Sequence, residues 1–308
     1  MDKPADNKIQ EMPMEEAPHD ARIIAGAVVK GMFKPRKRDA HKGDFGKLMI
    51  VTGSPGMTGA GCLAAEAALT AGAGLVYLAV PGRLAYIYEI AIRETITLGV
   101  GGDNIITCDN VEEILDHAER MDAIAIGPGM STGWVTARAI RRIIASVNKP
   151  LVIDADALTA IAADVSFLDE AHTPAVLTPH EAEMARLLGK TAADVTRNRY
   201  TYARNFAVKH KVTLVLKGRR SVVAAPDGRV HINTTGNPGM ATAGAGDVLT
   251  GVIAAFIGAG MSVTEAAIAA VYLHGLAGDA AAAKLGERSV RASDIIRCLP
   301  DAFIATGI

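Results

Sequence analysis

The residues with most chemical promise stand at the ends of apolar segments. Asn237-Pro-Gly-Met-Ala-Thr-Ala-Gly-Ala-Gly-Asp247 runs straight into an apolar stretch that reads as a helix. Its glycines and small residues free several backbone N–H groups at a helix start, where the dipole favours anions. Asp247 enters the first turn of that same helix. A carboxylate beside an anion cradle is electrostatically awkward, which makes Asp247 a candidate general base; the alternative is a helix cap. No GxxxxGK[ST] occurs, so the cradle is not a P-loop.

Two other glycine turns and two polar clusters add weaker signals. Val51-Thr-Gly-Ser-Pro-Gly-Met-Thr-Gly59 separates a strand pattern from a helix pattern. Its spacing is GxxGxxG, not GxGxxG, and the next strand ends in Pro81-Gly-Arg83 without an acid, which disfavours a dinucleotide dehydrogenase. Gly127-Pro-Gly129 ends another strand, and a ligand loop and a plain tight turn look alike there. In Thr178-Pro-His-Glu-Ala-Glu183, His180 and Glu183 share one face of an opening helical turn. Glu183 either orients a magnesium-bound water or closes a capping box. A zinc site of the HExxH type would need a second histidine that is absent. Asp156, in Ile153-Asp-Ala-Asp-Ala157, reads equally as an N-cap and as a ligand.

These residues need a scaffold, and the hydrophobic pattern supplies one. Strands are expected at Leu48–Thr52, Leu75–Val80, Ala123–Gly127, Leu151–Asp154, Ala175–Thr178 and Val212–Lys217. Helix-length segments such as Ala60–Ala71, Val111–Arg120, Ala137–Ala145 and Glu181–Leu188 lie between them. Continuous apolar strands alternating with helices predict an α/β fold with a mostly parallel sheet covered on both faces. Ser221–Ala225 and Arg229–Asn233 flank Pro226-Asp-Gly228 and predict a hairpin. Apolar helices are expected near Gly246–Ile257 and Val263–Leu285. Residues 1–20 read as an acidic tail, and residues 21–40 as one amphipathic helix leading into the core.

Composition narrows the function classes. The 308 residues carry 32 Lys+Arg against 33 Asp+Glu, a net charge of −1 that argues against a broad nucleic-acid face. The one dense basic run, Lys34-Pro-Arg-Lys-Arg38, reads as a solvated connector. Cys62, Cys108 and Cys298 form no CxxC, so neither a zinc framework nor a disulfide scaffold is expected. Without a signal-peptide pattern, and with the most apolar stretch, Val248–Ala259, too short to span a bilayer, a soluble cytoplasmic protein without membrane contact is expected.

Several motifs then match one family in order: His41-Lys-Gly-Asp-Phe-Gly46, Gly53–Gly61 with Ala71-Gly-Ala-Gly-Leu75, Gly127-Pro-Gly129, Asp154-Ala-Asp-Ala-Leu158, Thr178-Pro-His-Glu-Ala-Glu183, Lys217-Gly218 and Gly236–Asp247. Over about residues 35–300 the chain resembles the ADP/ATP-dependent (S)-NAD(P)H-hydrate dehydratases of the ribokinase-like superfamily. That resemblance implies a three-layer α/β/α domain over 35–308, preceded by a tail and helix over 1–34. It also implies a nucleotide site at Lys217, Gly218, Arg219, Arg220 and Ser221 with Ala243, Gly244, Ala245 and Gly246. Ala60, Gly129, His180 and Asp247 would contact the hydrated nicotinamide substrate, and Glu183 would reach Mg2+ through water. Ala243 and Ala245 replace the Gly and Ser of many relatives, and His180 stands where related kinases keep Asn. The implied assembly is a homo-oligomer, a tetramer by resemblance, working beside a separate epimerase.

The implied reaction is loss of water from NADHX or NADPHX, driven by phosphoryl transfer from ADP or ATP. Two rival readings are a small-molecule kinase of the same fold and a nucleotide sensor without turnover. A kinase would stop at the phosphoester, and a sensor would keep its function in Asp247→Asn.

Overall fold

The computed structural model describes residues 15–170 and 173–308. Its apolar runs form β1 (Arg22–Ile23), β2 (Lys47–Val51), β3 (Leu75–Pro81), β4 (Ile96–Val100) and β5 (Ala123–Ile126), then β6 (Leu151–Ile153), β7 (Ala175–Leu177), β8 (Thr213–Leu216), β9 (Val222–Ala224) and β10 (Val230–Ile232). They join in one ten-stranded sheet ordered β1-β10-β9-β8-β7-β6-β5-β2-β3-β4. From β8 to β4 every neighbour is parallel, whereas β9 runs antiparallel to β8 and β10.

The two-residue period of the strands divides the core into two layers. Leu48 and Ile50 face one apolar cluster, and Met49 and Val51 face the other. The helices, in chain order, are α1 (Gly26–Met32), α2 (Thr58–Thr70), α3 (Ala85–Ala91), α4 (Val111–Ala118), α5 (Trp134–Ser146), α6 (Asp156–Ile161) and α7 (Phe167–Glu170). After them come α8 (Glu181–Leu188), α9 (Ala192–Arg197), α10 (Arg199–His210), α11 (Ala245–Gly258), α12 (Val263–Leu285) and α13 (Ala292–Thr306). Residues of α2, α11, α12 and α13 belong to the first cluster, and residues of α4, α5, α8 and α10 to the second. The result is the three-layer α/β/α arrangement that the alternating pattern predicts.

Helix α11 is buried almost throughout, from Val248 to Gly258. It approaches α2 closely because Gly251 has no side chain: a Cβ there would lie 2.0 Å from the Ala64 carbonyl oxygen. Helix α12 has the length and hydropathy to cross a membrane, yet 61% of its apolar window is buried inside the fold. Its apolarity is that of a core helix.

The N-terminal region departs from expectation. Residues 21–40 do not form one helix: β1 adds to the edge of β10, and α1 covers only Gly26–Met32. Pro35 follows closely, and the residue before a proline disfavours helical backbone. Phe33 then turns inward, its ring edge-on to Phe256 at 5.1 Å and to Phe303 at 6.1 Å. The segment expected as a tail is also docked from Glu15 onward. The Glu15 carboxylate accepts the backbone N–H groups of Tyr200 and Thr201 at the start of α10, and Asp20 pairs with Arg204 at 2.7 Å. Residues 1–14 of that expected tail lie outside the described residues. In the basic run, Arg36 donates to the Gly72 carbonyl at 3.0 Å and lies over the Phe45 ring, so it ties the connector down.

The glycines of α11 make a direct test. Gly251→Ala should destabilise the fold by about 1–3 kcal/mol in urea unfolding, the usual range for overpacking. Gly258→Ala, whose Cβ would meet Leu48 only at 3.8 Å, should be neutral or stabilise by up to about 1 kcal/mol. Equal effects from both substitutions would refute the close α2–α11 approach.

Candidate active site

The parallel strands end along one edge of the sheet, and the chemically promising residues gather there. Within the parallel part of the sheet, β2 has β3 on one side and β5 on the other, so the chain after β2 and the chain after β5 diverge. In open α/β sheets such a point opens a crevice. Two hydroxyls tie its walls together: Thr52 donates to the Pro128 carbonyl at 2.5 Å, and Ser54 to the Gly129 carbonyl at 2.9 Å. Gly129, with φ +62, sits so close to the start of α2 that a Cβ would lie 2.4 Å from the Met57 oxygen and 3.1 Å from the Ala60 Cβ. Gly129 and Ala60 are thus neighbours, as a shared ligand contact would need.

One step along the edge lies a buried ion pair. Lys217, just past β8, donates to Asp154, just past β6, at 2.8 Å; Asp154 is 1% exposed. Thr250 on α11 donates to the other Asp154 oxygen at 2.6 Å. Burial by itself would raise the Asp154 carboxyl, but the Lys217 charge and these hydrogen bonds outweigh it and hold it below the usual carboxylate range. The Lys217 ammonium also lies 3.9 Å from Glu183. Arg199 braces the backbone at this point: it pairs with Glu181 and donates to the carbonyls of Leu216 and Lys217 at 3.3 Å each.

His180 and Glu183 form a full capping box at the start of α8. The His180 N–H donates to Glu183 Oε2 at 2.8 Å, while His180 Nδ1 accepts from Ala182 N at 3.1 Å and Glu183 N at 3.4 Å. An imidazole that accepts at Nδ1 carries its proton on Nε2. Burial lowers the His180 pKa, and the cationic Lys217 and Arg186 lower it further, so the ring is neutral. Burial raises Glu183, with Lys217 opposing.

Asp247 occupies the third residue of α11. It does not cap that helix: Gly244, with φ +89, is the N-cap, and among the described residues no hydrogen bond to the Asp247 carboxylate is formed. Its pKa is pushed up to about 7, first by burial and then by the negative charge of Asp154, with Lys217 pulling it down and Asp156 and Glu183 raising it again. Gly246 brings the helix start against the ion pair, since a Cβ there would lie 3.2 Å from Lys217 Nζ. Asp156 is not the N-cap of its helix, which is Ala155. It is the first residue of α6 and accepts the Ser131 N–H at 2.8 Å, which fixes the chain beyond Gly129.

A cavity of about 930 Å³ opens beside this cluster. Of the sequence-predicted residues, His180, Lys217, Gly218, Arg219, Arg220, Ser221, Ala245 and Gly246 line it. Ala60, Gly129, Glu183, Ala243, Gly244 and Asp247 stand outside its lining, and Asp247 meets it through Gly246. A cavity lined by Lys217 and by the start of a helix, beside a carboxyl poised near neutrality, suits transfer of a phosphoryl group to a hydroxyl.

A family model described as NAD(P)H-hydrate dehydratase matches residues 48–301. The chain belongs to the NAD(P)H-hydrate dehydratase family. It is 44% identical over 281 residues to the bifunctional NAD(P)H-hydrate repair enzyme Nnr of Moorella thermoacetica, covering 91% of this chain and 53% of that protein. It is 38% identical over 252 residues to the ADP-dependent (S)-NAD(P)H-hydrate dehydratase of Neisseria meningitidis, covering 80% and 81%. The chain therefore spans about half the length of the bifunctional relative. Among solved structures, the ADP/ATP-dependent NAD(P)H-hydrate dehydratase from Bacillus subtilis, co-crystallized with ATP/Mg2+, matches with a TM-score of 0.80 at 25% identity, covering 94% of this chain and 100% of that one. A ribokinase-like superfamily protein from Enterococcus faecalis matches with a TM-score of 0.81 at 25% identity, covering 96% and 99%.

The family motif Asp154-Ala-Asp-Ala-Leu158 marks a carboxylate that sequence reasoning passed over. Asp154 holds the centre of the site, whereas Asp156 drew the attention. The available signal was a strand-terminal Asp beside a lone Lys at the end of a parallel strand. Thr250 and His274, both inside apolar helices, carried no such signal.

Asp154→Asn should cost about 3–5 kcal/mol in urea unfolding, because it leaves Lys217 buried without its main counter-charge. Adding Lys217→Met should recover part of that loss. A single substitution that costs under about 1 kcal/mol would show the pair to be dispensable.

Proposed function

We propose that this chain dehydrates the S epimer of NADHX or NADPHX to NADH or NADPH, with ADP converted to AMP, or ATP to ADP, plus phosphate. The observation that carries the reading is Asp247: a carboxyl without hydrogen bonds, held near pKa 7, at the start of α11 and next to the Lys217–Asp154 pair. Family membership and the ADP-dependent relative support the same chemistry.

In this reading the substrate hydroxyl, near Gly129, Ala60 and His180, gives its proton to Asp247 as its oxygen attacks the terminal phosphoryl group. The P–O bond to the nucleotide breaks, and the hydroxyl leaves the ring as phosphate, expelled by the nitrogen lone pair. Loss of a proton from the adjacent ring carbon restores the dihydropyridine. Backbone N–H groups of Ala243, Gly244 and Gly246 face the charge that builds on the phosphoryl oxygens, whereas the Ala245 N–H donates to the Thr242 carbonyl at 3.3 Å. Lys217, Gly218, Arg219, Arg220 and Ser221 hold the rest of the nucleotide, and His180 donates from Nε2.

Mg2+ fits this donor set as a phosphate-bound ion. Among the described residues no group of three or more His, Cys, Asp or Glu side chains is placed to hold a metal, and Mg2+ commonly uses one or two carboxylates with substrate phosphates and water. Glu183 would reach it through water, and the ion would supply charge neutralisation at the phosphates. We further read residues 15–308, not 35–308, as one domain, acting as a cytoplasmic homo-tetramer alongside a separate epimerase.

The test mixes the protein with NADHX, Mg2+ and ADP or ATP, and follows reduced-nicotinamide absorbance and phosphate together. Equal recovery of both is expected. Binding of nucleotide without either product would overturn the reading in favour of a sensor, and a phosphorylated product that accumulates would favour a kinase. Asp247→Asn should lower kcat about 10²–10⁴-fold while ADP still binds. Because the base works deprotonated, wild-type activity should fall as pH drops through about 7, and a rate flat from pH 5.5 to 8.5 would exclude Asp247 as the base.

A further inference from the structure

We infer that His274 on α12 contacts the nucleobase of the bound nucleotide through its Nε2 atom. The inference rests on the nucleotide reading above and assigns to that ligand a residue outside the sequence motifs.

His274 is 9% exposed and lines the cavity, and its Nε2 is buried with no hydrogen-bond partner. A buried polar atom left unpaired is costly, so one on a side chain that lines a cavity points to a missing partner. The neighbouring polar groups are already engaged. Asn233 donates to the carbonyls of Thr235 at 3.2 Å and Val271 at 3.0 Å, and Thr235 donates to Tyr272 O at 2.9 Å. The cavity that His274 lines also has an apolar part, to which Leu249, Val271 and Gly275 contribute. Gly275 keeps this wall thin, since a Cβ there would lie 2.2 Å from the Thr235 hydroxyl.

An apolar wall with one unsatisfied ring nitrogen suits a flat heteroaromatic base, whose edge offers a hydrogen bond and whose faces take apolar contact. The cationic side chains of the cavity are those of Lys217, Arg219 and Arg220, and phosphate belongs with them. Burial, opposed by the Ala245 backbone and aided by Lys217, lowers the His274 pKa to about 4, so the ring meets the base neutral and able to donate or accept.

The test follows the His274 Nε2 resonance in ¹⁵N-labelled protein while ADP, adenosine or inorganic pyrophosphate is added. A shift with ADP and adenosine, but not with pyrophosphate, is the expected result. A shift with pyrophosphate alone, or ADP binding with the resonance unmoved, overturns the assignment. A wild-type protein that binds no ADP overturns the nucleotide reading and this assignment together. In calorimetry, His274→Leu should weaken ADP binding about tenfold, the size of one hydrogen bond to a desolvated group. Pyrophosphate binding and the melting temperature of the free protein should stay unchanged. His274→Gln, which keeps a polar side-chain end, should recover part of the affinity; unchanged ADP affinity in both variants would overturn the assignment.

Discussion

The buried Asp154–Lys217 pair ties together three parts of the fold that share no local sequence. It joins the end of β6 to the end of β8, and Thr250 brings in α11 from the helical layer. Neither charge is tolerable there alone. Its charges act on top of burial, the larger effect, on the titratable groups around it. Lys217 helps keep His180 neutral and opposes the rise of Glu183, while the Asp154 charge helps raise Asp247.

The pair is fixed in place by ordinary packing. Helix α11 can carry Thr250 to Asp154 because Gly251 lets it lie against the backbone of α2. The same helix presents Gly246 to Lys217 at its N-terminal end. A single close approach in the core therefore positions both the anion cradle and the base. The capping box of His180 and Glu183 uses local hydrogen bonds for the same end, since it starts α8 and orients the imidazole at once.

Legibility in the sequence followed the range of the interactions. Strands buried on both faces announced themselves as apolar runs, and the expected β2, β3 and β5–β8 fall within a residue or two of those found. Helix α12 was expected with its observed ends, since Ser262 begins a capping box and Gly286 ends the pattern. By contrast β4, with its half-exposed Ile96-Thr-Leu-Gly-Val100, lacks a continuous apolar run, and β1 is two residues long. Glu183 and His180 were placed together because their coupling is three residues long. Asp154 and Thr250 were not, because their partners lie up to 96 residues away and only tertiary packing reveals them.

The arrangement also decides which group can act as a base. Asp154 is locked to Lys217 and Thr250 and held below the usual carboxylate range, so it binds a proton poorly. Glu183 has one oxygen engaged by the His180 N–H and by the Lys217 ammonium at longer range. The lone pair of His180 at Nδ1 already receives two backbone N–H groups, so its other nitrogen, 3.5 Å from Glu183 Oε1, donates and does not accept. Asp156 is held by the Ser131 N–H. Asp247 remains, unbonded and with a pKa of about 7, where a carboxyl can be ionised at physiological pH and still take a proton readily. The general base is thus selected by what the other acids and the imidazole are doing, and that division of roles follows from burial together with the Asp154–Lys217 pair.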